Sequence, residues 1–127
     1  MEMESLTRRL ALVFSAFLIS FTSQTFAEVI DASKAPFYVG KSVMVCGNVK
    51  QVSQHKQRTY INLTRAYPNE DIAFLIWQDD LSNFSKKFGN LSSLLNRRVC
   101  GTGEITLYKE HLQMKLANPS NLRLMKN

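Results

Sequence analysis

Two stretches of the sequence bring cationic, aromatic and amide side chains close together. They contribute the candidate ligand-binding residues Lys50, His55, Lys56, Arg58, Tyr60, Asn62, Tyr108, Lys109 and His111. Aromatic rings stack on nucleobases, at about 1–3 kcal/mol per base, and neighbouring cations follow the phosphates. The set therefore fits binding of a single-stranded nucleic acid or another anionic polymer. It also fits two polar surface loops without a ligand, and Asn62 could hold the neighbouring turn instead.

Residues for catalysis or metal binding are sparse. Asp79 and Asp80 form a compact acidic pair, which suits the start of a helix. His55 and His111 fall in two different predicted loops, and two cysteines with two distant histidines make a poor metal site. The sequence therefore predicts a protein that is not an enzyme and that uses no cofactor or metal.

The first 27 residues have the pattern of a secretory signal peptide. Arg8 and Arg9 precede an apolar run over residues 10–21, and Ala27 ends a stretch suited to cleavage. A membrane anchor is the alternative, but a spanning helix needs about 20 apolar residues. We therefore expect a signal peptide at residues 1–27, a single domain at residues 28–127, and a periplasmic or secreted protein.

The charge of the chain is strongly positive, with a formal net charge of +6 over 127 residues. A basic surface favours anionic partners, although many soluble proteins are basic without such a partner. The charge alone leaves the function open.

Cys46 and Cys100 are the two cysteines of the chain. In an oxidising compartment they are expected to form a structural disulfide. A redox pair is the alternative, but redox pairs usually lie close in sequence. Each cysteine belongs to a Val-Cys-Gly tripeptide, which suggests that two similar strands lie side by side.

Alternating apolar residues predict five strands, with a helix between the third and the fourth. The predicted strands cover residues 42–52, 58–64, 72–78, 97–107 and 112–116, and the helix ends at Gly89. Three strands, a helix and two further strands are the element order of the OB-fold, an all-β, five-stranded barrel whose first strand closes against the fourth. An SH3-like barrel is the competing all-β fold, but the helical insert argues against it.

Several segments also resemble small exported bacterial OB-fold proteins of the nucleic-acid-binding, anticodon-binding-like type. The segments that carry the resemblance are residues 40–49, 59–63, 67–69, 75–77 and 99–105. Most of these positions are strand or turn residues, so the resemblance mainly implies the barrel. Nucleic-acid binding follows from it only by analogy of fold.

Two functions follow as hypotheses. The first is a module that binds single-stranded nucleic acid or another anionic polymer through the two basic loops. The second is an envelope module that binds a protein, for example within a secretion or conjugation assembly. Its contact residues would be apolar: Phe37, Tyr38, Leu122, Leu124 and Met125.

Overall fold

A computed structural model of the protein describes residues 19–20 and 27–126. The predicted signal peptide falls almost entirely outside the described residues and stays a prediction. No helix in the described part of the chain has the length and apolar character needed to cross a membrane.

The described chain contains seven strands, one α-helix and three short 3₁₀ turns. The strands are β1 (Val29–Asp31), β2 (Ser42–His55), β3 (Arg58–Leu63), β4 (Ile72–Trp77), β5 (Arg98–Tyr108), β6 (His111–Lys115) and β7 (Leu122–Leu124). The helix α1 (Gln78–Phe88) follows β4 directly, and the 3₁₀ turns are Ala32–Tyr38, Leu91–Leu94 and Pro119–Asn121.

Five of the strands form a closed ring of pairings in the order β2, β3, β4, β6 and β5, and β5 pairs back with β2. The β4–β6 pair is parallel, while the other pairs of the ring are antiparallel. Cys46 lies opposite Cys100 in the β2–β5 pair, and the two form a disulfide. The predicted closure and the predicted disulfide are both confirmed.

Five strands were predicted, but the described part of the chain has seven. Strand β1 pairs in parallel with β2, and β7 pairs in antiparallel with β5, so both extend the sheet outside the ring. Each has three residues and buries one side chain, Ile30 or Leu122. A single buried position gives no alternation, which is why the sequence does not reveal them.

The helix lies between the third and fourth strands of the ring, as predicted. It starts at Gln78, with Trp77 as the residue before it, so Asp79 and Asp80 lie in its first turn. In this position their carboxylates interact favourably with the positive end of the helix dipole. Gly89 ends the helix with a φ of 73°, a conformation that glycine adopts without strain.

The core fills the interior of the ring, and both repeated glycines face it. A Cβ atom on Gly101 would lie 2.6 Å from the ring of Phe74, and one on Gly47 would lie 3.0 Å from the Cβ of Ala32. The Val-Cys-Gly repeat therefore reflects close packing on the inside and a disulfide on the opposite face of the same two strands.

Candidate ligand-binding groove

A bulge in β2 determines which side chains reach the outer face of the ring. Val49 pairs with Leu63 and Gln51 pairs with Asn62, so Lys50 is an extra residue without a partner on β3. An extra residue reverses the alternation of the strand beyond it. After the bulge, Gln51, Ser53 and His55 come to line the outer groove described below.

The predicted loop at residues 53–57 is shorter than expected. Strand β2 continues to His55, and only Lys56 and Gln57 connect it to β3. Gln54 and His55 are exposed and Ser53 is half-buried, which agrees with their polar side chains. The β2–β3 hairpin thus carries its cations on a rigid edge.

Two hairpin turns border the groove, and both contain residues with positive φ. Lys56 has a φ of 56°, while Lys109 and Glu110 in the β5–β6 turn have values of 47° and 67°. Residues other than glycine and asparagine adopt this backbone conformation at a cost in free energy. The two turns therefore place lysines where other residues would make a more stable turn.

A groove of about 640 Å³ lies between these turns, over the outer face of β2, β3, β4 and β6. Its lining consists of Gln51, Ser53, Gln54, His55, Lys56, Arg58, Tyr60, Asn62, Tyr67, Glu70, Ala73, Tyr108, Lys109, His111 and Gln113. All of the predicted site residues except Lys50 line it. Lys50 does not, because the bulge removes it from the pairing with β3.

Cations in the groove lie close to aromatic rings. The guanidinium of Arg58 lies over the ring of Trp77, 4.7 Å from its centroid, and donates a long hydrogen bond of 3.4 Å to the Tyr60 hydroxyl. The ammonium of Lys109 lies 5.4 Å from the ring centroid of Tyr108. Such contacts hold a flexible cation over an aromatic surface while leaving its charge available to a ligand.

Gln51 connects the floor of the groove to the loop between β3 and β4. Its Oε1 accepts a hydrogen bond of 2.8 Å from Asn62 Nδ2 and one of 2.9 Å from the backbone N–H of Tyr67. Asn62 is only 2 % exposed. These bonds favour the role of Asn62 in holding the turn over direct contact with a ligand.

Two residues of this loop reach the groove although the sequence did not single them out as site residues. The ring of Tyr67 stacks on the imidazole of His111, with centroids 5.0 Å apart and an angle of 23° between the planes. Glu70 Oε1 lies 2.6 Å from His111 Nδ1. Tyr67 and Glu70 belong to a segment recognised only as a turn, and the signal that could have found them is an aromatic residue in a turn beside a ligand-binding strand.

The loop has further bonds of its own. Arg65 donates from Nε to the Asn69 carbonyl at 2.9 Å and pairs with Asp71 through a contact of 3.0 Å. Thr64, at its start, has a φ of 75° and donates its backbone N–H to the Asn48 carbonyl at 2.8 Å. The backbone that carries Tyr67 and Glu70 is thus held at both ends.

Two side chains outside the groove have pKa values that differ from their ordinary values. The hydroxyl and the backbone N–H of Ser33 donate to the Asp31 carboxylate, at 2.7 and 3.0 Å, and lower the pKa of Asp31. The hydrogen bond from the Tyr38 hydroxyl to Glu28 raises the pKa of Tyr38. Within residues 27–126, no three acidic, histidine or cysteine side chains group as metal ligands would.

Comparison with solved structures identifies the fold. A chain described as an aspartyl-tRNA synthetase from Leishmania major Friedlin is similar with a TM-score of 0.54 and 12 % identity, over 93 % of this chain and 26 % of that one. An OBody bound to hen egg-white lysozyme has a TM-score of 0.53 and 14 % identity, over 86 % and 100 %. The S. pombe Stn1–Ten1 complex gives 0.51 and 15 %, over 72 % and 68 %. The protein has an OB-fold.

These similarities establish the fold alone, because the identities are low. The protein spans about a quarter of the length of the synthetase chain. No protein-family model matches the sequence. No curated protein matches it either.

Proposed function

We propose that this protein is an exported, non-enzymatic binding module that binds single-stranded nucleic acid or another anionic polymer in the groove. The observation that carries the proposal is the convergence of Lys56, Arg58 and Lys109 with three tyrosine rings on one outer face. Cations beside exposed rings are the combination that binds a flexible anionic strand without sequence preference.

The position of the groove agrees with this function. OB-folds bind oligonucleotides and oligosaccharides on the face formed by their second and third strands, between two flanking loops. In this protein those strands of the ring are β3 and β4, and the two rims are the β2–β3 and β5–β6 turns. One of the similar chains is described as an aspartyl-tRNA synthetase, which is compatible with this proposal.

Salt dependence provides a quantitative test. For single strands, the logarithm of the affinity falls with the logarithm of salt concentration with a slope of about −0.7 per neutralised phosphate. If Lys56, Arg58 and Lys109 each neutralise one phosphate, affinity should fall roughly 20-fold between about 50 and about 200 mM salt. Fluorescence anisotropy with labelled single-stranded DNA and RNA measures this directly.

A matched pair of variants separates the groove from the overall charge. The variant K56A/R58A/K109A removes two lysines and one arginine from the groove and should lose most of the binding and most of the salt dependence. The variant K34A/K86A/R123A removes the same residue types from exposed positions that do not line the groove, and should bind as the wild type does. Absence of binding at low salt, or equal losses in the two variants, would refute the proposal.

Binding of a protein is the second candidate function. Phe37 is 76 % exposed, and Leu124 and Met125 are also exposed, whereas Leu122 is buried and Tyr38 packs partly against the core. Large contiguous patches of exposed apolar side chains mark protein contacts. A crosslinked partner whose binding withstands high salt and is lost in F37A would support this function.

A further inference from the structure

The electrostatic character of the groove changes at the end next to the β3–β4 loop. Glu70 is the one carboxylate among the described residues that line the groove. Its side chain is only 3 % exposed, and Oε1 contacts His111 Nδ1. Within the described part of the chain, its buried Oε2 has no hydrogen-bond partner. A buried acceptor without a donor is unfavourable, so this oxygen is suited to accept a donor from a ligand.

The carboxylate is held in place, while the ring next to it is exposed. Gln51 and Arg65 hold the loop on both sides of Glu70, through bonds to the Tyr67 N–H, the Asn69 carbonyl and the Asp71 carboxylate. The Tyr67 ring is 64 % exposed and is supported on one side by the imidazole. The exposed Tyr67 ring has room to turn off the imidazole, so a planar ligand group can enter between the two rings, beside His111 and the carboxylate that contacts it.

The chemistry at this end of the groove suits a base better than a phosphate. A carboxylate repels phosphate and accepts only from N–H or O–H groups. Guanine presents two adjacent donors, N1–H and the N2 amino group, on one edge. Adenine, cytosine and thymine place a ring nitrogen or a carbonyl oxygen next to their donor, and that acceptor would face the carboxylate unfavourably.

On these grounds we propose that Glu70 is a specificity-determining residue that selects guanine at the Tyr67–His111 end of the groove. The inference rests on the proposed function, since it assumes a single-stranded nucleic acid in the groove. The guanine ring enters between Tyr67 and His111, where its edge donates to the carboxylate. Because Oε2 is covered, a side chain must move to admit the base, and the exposed Tyr67 ring has the most room to turn.

The test uses short oligothymidylates with one central guanine, inosine, adenine or cytosine, measured by anisotropy at about 50 mM salt. Inosine lacks only the N2 amino group of guanine. Paired donor contacts to a base discriminate by about 1–3 kcal/mol, so the guanine strand should bind at least about 5-fold more tightly than the inosine strand. Glu70→Gln keeps the side-chain size and should abolish this difference while retaining salt-dependent binding of all four strands.

Glu110→Gln is the matched control, because Glu110 lies in the β5–β6 turn but does not line the groove. This variant should keep the preference for guanine. Equal binding of the four strands by the wild type would overturn the role of Glu70 and leave the proposed function standing. A preference that survives in Glu70→Gln would also overturn it. No binding of any strand at low salt would overturn both proposals, and the wild-type comparison remains decisive if the variant is unstable.

Discussion

Replacing Gln51 with leucine tests whether one amide oxygen holds the floor of the groove to its loop. The change removes the acceptor of two hydrogen bonds, from Asn62 Nδ2 and from the Tyr67 backbone. Asn62 is almost fully buried, and an unpaired buried donor costs about 1–3 kcal/mol. The Tyr67 N–H is in an exposed loop, where water can replace the lost bond. We therefore expect Gln51→Leu to lower the free energy of unfolding by about 2 kcal/mol, mainly through Asn62.

Urea unfolding measures the loss, and Gln51→Glu provides the control. Glutamate keeps an oxygen that can accept both bonds at nearly the same size, so it should retain most of the stability. Gln51→Leu should also change the NMR shifts of the Tyr67 and His111 rings, because their stack depends on the position of the loop. Unchanged stability and ring shifts in the leucine variant would refute this account of the groove.

Two further predictions concern the closure of the ring and the rim of the groove. Replacing Cys46 and Cys100 together with serine removes a crosslink between residues 54 positions apart. The chain-entropy model gives about 4 kcal/mol of stability for such a crosslink. Denaturant unfolding should show this loss, and binding at low salt should not change. A folded double variant that no longer binds would contradict a purely structural role of the disulfide. Replacing Lys109-Glu110 with Asn-Gly suits the positive φ of both positions and should stabilise the protein by about 1 kcal/mol, while affinity for an anionic strand falls. Thermal unfolding and anisotropy test the two effects separately. Lower stability would contradict the argument from φ, and unchanged affinity for the anionic strand would show that the lysine is not retained for binding.

Sequence patterns predicted the elements that form the ring because those elements have a strong local signal. Strands β3 and β4 alternate or are continuously apolar, and the glycine after α1 marks the end of the helix. The disulfide between Cys46 and Cys100 was expected from two cysteines in an oxidising compartment, and the repeated tripeptide around them indicated that their strands are neighbours. The two outer strands were missed because each buries only one side chain.

The bulge at Lys50 shows how a small local irregularity limited the prediction of the site. Val45 and Val49 face the core at even spacing, but Val52, which packs partly against the core, is one residue out of phase with them. That shift is visible in the sequence and indicates a bulge. Because the bulge was not recognised, Lys50, which does not line the groove, was named as a candidate, and Gln51, which does line it, was not.

Sequence patterns were enough to predict the order of the ring strands along the chain, the pair of strands that closes the ring, the disulfide, and the two basic turns that border the groove. These features depend on local periodicity, turn chemistry and repeated residues. The folded structure was needed to show that Tyr67 and Glu70 meet His111, 41 residues away from Glu70, and that one buried carboxylate oxygen has no donor among the described residues. Contacts of that kind depend on strand register and loop path, because neighbours in space across a ring leave no periodic pattern along the chain.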